Sequence, residues 1–231
     1  MNLITLTVII KLIMIVINIA DIHGNASPVL EMSEVLTSAD LILLSGDITH
    51  FGGEREASEI VNQIRSYNSN LLAVTGNCDT NEVDTFLDKE NLNIHGRSID
   101  IDDVTIFGAG GSLPCPSPTP NIYTEEEYAE VFGSLTQGME ENSSKIMISH
   151  QPPINTLNDT ISSGAHVGSK TIREIIETFE PLICFTGHIH EAPGIDEIGI
   201  TKIVNPGPLG TRSYAYLDIT DKINALEIRN I

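Results

Sequence analysis

Short apolar runs along the chain end, one after another, in polar or glycine-bearing stretches, and segments of helical period fill the gaps. Met14–Ala20, Asp40–Leu44, Leu71–Val74, Lys145–Ile148 and Pro181–Phe185 are brief, apolar and bounded by turn residues. Such runs predict strands buried on both faces. Ser27–Ser38 places Val29, Leu30, Met32, Val35 and Leu36 near a 3.6-residue period, which predicts a helix. Glu54–Tyr67 does the same with Ile60, Val61 and Ile64. Thr124 followed by three glutamates is a cap signature that opens a helix to about Leu135. Lys170–Phe179 predicts another helix. Leu92–Ile94 and Val104–Phe107 predict a hairpin region. Thr201–Val204, Tyr214–Ile219 and Ala225–Ile228 predict three more strands. Gly108–Asn121 and Asn155–Ser169 read as loops. Strands, polar loops and helices in alternation predict α/β layers with parallel strands. In such sheets ligands bind beyond the carboxyl ends of the strands.

The first twenty residues are apolar and of borderline length for a membrane span. Their only cation, Lys11, lies mid-run, and Ile17–Ala20 fits a signal-peptidase site poorly. Ile and Val dominate, which favours a strand over a membrane anchor. Residues 1–13 therefore read as an N-terminal extension, with Met14 a candidate start, and residues 14–231 as a single domain.

The polar stretches that close the apolar runs carry one kind of chemistry. Asp21-Ile22-His23 follows the first and Gly46-Asp47 the second. Gly76-Asn77-Cys78-Asp79 follows the third, His150 the fourth, and Gly187-His188-Ile189-His190 the fifth. Residues two apart in an extended segment point to the same side. Mixed oxygen and nitrogen donors without thiolates suit divalent Mn, Fe, Zn or Co. Seven donors exceed one tetrahedral site. They suit two ions that share a carboxylate and clamp a phosphoryl group.

Composition narrows the partners. A chain of 231 residues suits one α/β domain with a sizeable core. Lys and Arg number 12 against 32 Asp and Glu, a formal charge of −20. That opposes broad nucleic-acid binding and docking on anionic lipid. Phosphate can still bind where cations reverse the local field. Cys78, Cys115 and Cys184 are odd in number and widely spaced, so no disulfide framework is implied and a reducing cytosol is expected.

The ordered blocks D-x-H, G-D, G-N, a lone H and G-H-x-H, from Asp21 onward through Asn205, resemble those of the calcineurin-like metallophosphoesterase family. The resemblance covers nearly the whole chain. It implies a two-sheet sandwich flanked by helices, an α-β-β-α single domain with a dimetal site at the sheet ends. It also implies roles. Asp21, His23 and His190 hold a first ion, Asp47 bridges, and Asn77, His150 and His188 hold a second. Manganese is the leading metal, with Fe, Zn, Ni or Co compatible. The activity implied is hydrolysis of a small phosphoester by in-line attack of a hydroxide that the ions make available.

One residue departs from many relatives, in which His follows the Asn of the third block. Here it is Cys78. The Gly-Asn-Cys-Asp form resembles a compact bacterial and archaeal branch associated with phosphodiesters. Cys is a weaker donor and acceptor than His. Cys78 and Asp79 are thus candidate catalytic residues, Asp79 by orienting a ligand. Asn25 and His166 are candidates for substrate binding. His50 and His95 match no block, and His95 reads as a surface or turn residue. The loop around Cys115 caps the site or covers a sheet face, and Asn205-Pro206-Gly207 resembles a family turn. The competing readings are a nuclease of the same fold and a scaffold like the related retromer subunit. The charge opposes the first, and seven competent donors oppose the second.

Overall fold

The computed structural model describes residues 13–133, 135 and 144–231. Two sheets lie face to face between layers of helix. The first has the order β11-β10-β1-β2-β3, built from β1 (Met14–Ile19), β2 (Leu41–Ser45), β3 (Leu71–Val74), β10 (Ser213–Ile219) and β11 (Ile223–Asn230). The second has the order β4-β5-β6-β7-β9-β8. Its strands are β4 (Arg97–Ile101), β5 (Val104–Ala109), β6 (Ser144–Ser149), β7 (Ile183–Thr186), β8 (Gly194–Ile198) and β9 (Thr201–Asn205). β1, β2 and β3 are mutually parallel, as are β5, β6, β7 and β9. The edges β4 and β8 and the β10–β11 hairpin run antiparallel.

Strand alternation sorts the apolar side chains into three cores. Val16, Leu41, Leu43 and Leu72 of the first sheet meet Ile106, Ile146, Ile148, Ile183 and Phe185 of the second, forming the core between the sheets. Ile17, Ile42, Leu44 and Ala73 point the other way. They are covered by α1 (Ser27–Glu31), α2 (Ser33–Ser38), α3 (Glu54–Arg65) and α4 (Asn81–Lys89). Phe107, Met147, Cys184 and Ile203 face α5 (Glu125–Gly133) and α6 (Lys170–Phe179). The result is the α-β-β-α sandwich expected from the sequence.

Several elements differ from expectation. The helix expected over Ser27–Ser38 divides at Met32, where the backbone leaves the α region at φ −87°, ψ 6°. Val29, Met32 and Leu36 still reach one core, as their i, i+3, i+7 spacing allows. Leu92–Ile94 is no strand. Asn93 makes only an isolated bridge to Ala73, and the hairpin partner of β5 is Arg97–Ile101. That strand is largely half-exposed, so it lacks the apolar run that marks a buried one. β8 lacks it for the same reason. α4 is a further helix beyond those expected, although Val83, Phe86 and Leu87 carry a helical period.

The expected N-terminal extension lies outside the described residues, apart from Ile13. Met14–Ile19 is a strand paired on both sides, by β10 and β2, and so is no part of a membrane helix. Among the described residues no helix is long and apolar enough to cross a membrane.

Glu125 ties the outer helices together. Its carboxylate accepts from Ser169 Oγ at 2.5 Å, Lys170 N at 2.8 Å and Thr171 N at 3.0 Å, satisfying donors at the start of α6. Glu125→Ala should cost about 1.5–3 kcal/mol, the scale of bonds to a charged acceptor. A Tm lower by roughly 3–12 °C is expected. Glu126→Ala, at an exposed neighbour, should move it far less.

Candidate metal centre

All five polar strand ends fall at one edge of the sandwich, because the strands that carry them run parallel within each sheet. The first sheet delivers Asp21, His23, Asp47 and Asn77. The second delivers His150, His188 and His190. The loops after β1 and β2 are laced together by Asp21 N to Gly46 O, His23 N to Asp47 O and Gly24 N to Ile48 O, at 2.8–3.1 Å. These bonds hold Asp21, His23 and Asp47 at φ +53°, +49° and +50°, and His188 sits at +69°. Four left-handed residues in one cluster carry backbone strain of the kind concentrated at functional sites.

The side chains form two lobes. In one, His190 Nε2 lies 3.3 Å from Asp21 Oδ1 and 3.0 Å from His23 Nε2. In the other, His150 Nε2 lies 3.0 Å from Asn77 Oδ1. Asp47 stands between them: its Oδ2 is 3.6 Å from His23 Nε2 and 3.5 Å from His150 Nε2. Its Oδ1 accepts the Cys78 N–H at 2.7 Å, which fixes the carboxylate's rotation. His188 joins through its own N–H, bonded to both oxygens of Asp21, and its ring lies 5.2 Å from that of His150.

Asp21 and Asp47 are buried and, among the described residues, pair with histidines rather than with Lys or Arg. Two imidazole nitrogens 3.0 Å apart share at most one proton. Buried carboxylates and facing ring nitrogens together suit a divalent cation. Asp21, His23 and His190 form one group of donors close enough to share an ion, and Asp21, Asp47 and His150 another.

The field inside the site follows from burial and the two carboxylates. Burial alone would lower His150, but Asp47 and the Ser45 carbonyl outweigh it and carry the ring up to about 9. Asp47 is correspondingly held well below the usual carboxylate range, burial being overcome by His150 and His23. Burial and the neighbouring His150 push His188 down to about 4. The Asp21 hydrogen bond raises His190, while burial lowers His23.

A stability prediction follows for the metal-stripped chain. His150 titrates higher folded than unfolded, so its pairing with Asp47 stabilises fully below about pH 6.5. That contribution is lost as pH rises through about 9. Thermal melts of metal-free wild type should fall over this window more steeply than those of metal-free Asp47→Asn. Parallel curves would refute the pairing.

The remaining candidates separate. Asp79 is fully buried. It accepts from Ile48 N, Thr49 N, Thr49 Oγ1 and Gly76 N at 2.7–3.1 Å, clamping the loop after β2 to the loop after β3. Burial and Asp47 push it up to about 6 against those donors. Three of these donors are backbone N–H groups and the fourth is the Thr49 hydroxyl, and none is a donor side chain of the cluster. Burial and Asp47 also raise the Cys78 thiol. Asn25 is exposed, and its side-chain oxygen is taken by Ser27 N and Oγ. His166 bonds the buried Asp159 at 2.7 Å and has Thr160 beside it, with no bond to the metal cluster.

Three residues outside the seven donors lie beside the cluster. Cys115 Sγ lies 3.6 Å from His188 Nε2, so its loop covers the site. Asn205 Nδ2 donates to Ile189 O and Ala192 O, holding the loop that bears His190. His50 Nδ1 lies 3.5 Å from His23 Nδ1. His95, expected at a surface or turn, is instead half-buried and accepts the Gly110 N–H at 2.9 Å.

Comparison with known proteins agrees with this fold. The family profile described as the calcineurin-like phosphoesterase superfamily domain matches residues 14–222. An uncharacterized protein of Methanocaldococcus jannaschii is 39% identical over 216 residues, covering 92% of this chain and 95% of its own. A crystal structure of a Thermus thermophilus protein superposes with a TM-score of 0.75 at 18% identity, over 95% of this chain and 99% of that one. The purple acid phosphatase PPD1 of yellow lupin (Lupinus luteus) seeds gives 0.62 at 12% identity, over 96% of this chain and 52% of that one.

Proposed function

The chain belongs to the calcineurin-like phosphoesterase superfamily and is a metal-dependent phosphoester hydrolase, and from that premise we propose that it is a phosphodiesterase acting on small phosphodiesters. Asp21, His23 and His190 would hold one divalent ion, and Asn77, His150 and His188 a second, with Asp47 shared. The observation that carries this reading is Asp47 Oδ2, almost equally distant from His23 and His150 at 3.6 and 3.5 Å. When bound, two divalent ions supply activated water and neutralise charge on the phosphate oxygens. Manganese is the metal we assign in the cell.

The chain's own groups do the rest. The Cys78 N–H holds Asp47 in one rotation, so its second oxygen faces both lobes. His150 donates Nδ1–H to Ser45 O at 2.8 Å, so Nε2 is the nitrogen that would lose its proton and face a bound ion. The Cys78 thiol is held protonated by burial and by Asp47, and offers a weak donor to a departing oxygen. That suits diesters whose leaving group needs little protonation. Charge points the same way. A monoanionic diester is repelled less than a dianionic monoester by a chain of net charge −20. The free state of Cys78, Cys115 and Cys184 supports placement in the reducing cytosol.

The test strips the protein of metal and restores Mn, Ni, Co, Zn or Mg in turn. Bis-p-nitrophenyl phosphate is offered beside p-nitrophenyl phosphate. Metal-dependent cleavage with the diester preferred is the expected result. Preference for the monoester would refute the diester assignment. Folded protein that neither binds metal nor cleaves either ester would favour the scaffold reading.

A further inference from the structure

His150 and His23 both turn Nε2 toward the cluster and Nδ1 away from it. The outward nitrogen of His150 meets a backbone carbonyl, Ser45 O, at 2.8 Å. The outward nitrogen of His23 faces another imidazole instead. His50 Nδ1 lies 3.5 Å from it, and the two rings meet edge to face with centroids 5.4 Å apart. For His23 to present a bare Nε2, its proton must sit on Nδ1. That N–H then donates to His50 Nδ1, and the proton of His50 lies on its Nε2.

His50 is exposed, yet the turn that carries it is pinned on every side. Thr49 N and Oγ1 bond Asp79, Phe51 N bonds Cys78 O at 3.1 Å, and Thr80 Oγ1 bonds Gly52 O at 2.9 Å. Phe51, at φ +62°, packs its ring against that of His50 at 4.8 Å. The acceptor is thus set in place by the fold.

We propose that His50 is a positioning residue, whose Nδ1 accepts the His23 Nδ1 hydrogen bond, fixes that ring's tautomer and orientation, and thereby sets the affinity of the Asp21–His23–His190 lobe for one divalent ion. The proposal rests on the assignment of His23 to a metal. Partners of this kind change metal affinity by about 10–100-fold when removed.

Calorimetric titration of metal-stripped protein with Mn²⁺ tests it. The unaltered chain should show two sites. His50→Ala should weaken one of them about 10–100-fold and leave the other unchanged. The melting temperature of the metal-free chain should not move, since His50 is exposed. His50→Asn should restore most of the affinity, because its Oδ1 occupies the place of Nδ1 and accepts the same bond. Two unchanged sites in His50→Ala, equal weakening of both, or an Asn variant as weak as the Ala variant would overturn the proposal alone. An unaltered chain that binds no Mn²⁺ would overturn it together with the site reading beneath it.

Discussion

Asp47→Asn will lower hydrolysis by at least about 10²–10³-fold, the scale on which one preorganised electrostatic contact contributes to a transition state. The loss comes from a donor placed where only an acceptor fits. The Cys78 N–H at 2.7 Å requires an oxygen at the Oδ1 position. The Asn carboxamide must therefore turn its NH₂ to the Oδ2 position, between His23 and His150. Two hydrogens then point at the nitrogens that should face a cation, and the negative charge is gone. Calorimetry with Mn²⁺ should show both sites weakened, since Asp47 is the ligand they share, while circular dichroism shows the fold kept. Full hydrolysis by this variant would remove Asp47 from the centre of the mechanism.

Gly76→Ala should be as damaging through sterics alone. A Cβ on Gly76 would lie 2.1 Å from Asp47 Oδ1 and 2.2 Å from Asp47 N. The first is a side chain already held by Cys78, and the second is backbone, so neither can move cheaply. Overpacking of this kind costs typically about 1–3 kcal/mol, or roughly 2–12 °C in Tm. The carboxylate should also leave its place between the two lobes. Metal-dependent activity should therefore fall far more than folding stability does. An Ala variant with wild-type metal affinity would show that the loops after β2 and β3 are not in the close register described.

The two substitutions probe a contact that the sequence could only partly announce. Gly76-Asn77 and Gly46-Asp47 were legible as strand-end motifs because a buried strand must end in a polar turn, and both runs do. The glycines were not legible as a close approach between two loops. That approach joins residues about thirty apart and depends on how β2 and β3 lie side by side. Asp79 is similar. Its position beside Asn77 suggested that it orients a ligand side chain, whereas its carboxylate turns inward to four donors on the two loops. Asn25 and His166 have local partners, Ser27 and Asp159, that any flexible polar residue can find and no motif reveals.

By itself the sequence determined the layered α/β order, the ends of the strands where chemistry gathers, and the kinds of donor found there. Hydrophobic period and residue type are local properties, and they survive reading one position at a time. The half-exposed strands β4 and β8 escaped because their partners, more than their own residues, make them strands. Only the tertiary structure decided which oxygen of Asp47 faces both histidines, that Cys115 covers His188, and that His50 stands behind His23. His23 and His190 are 167 residues apart and meet at 3.0 Å. Such distances are set by the packing of one sheet on the other, and no spacing along the chain contains them.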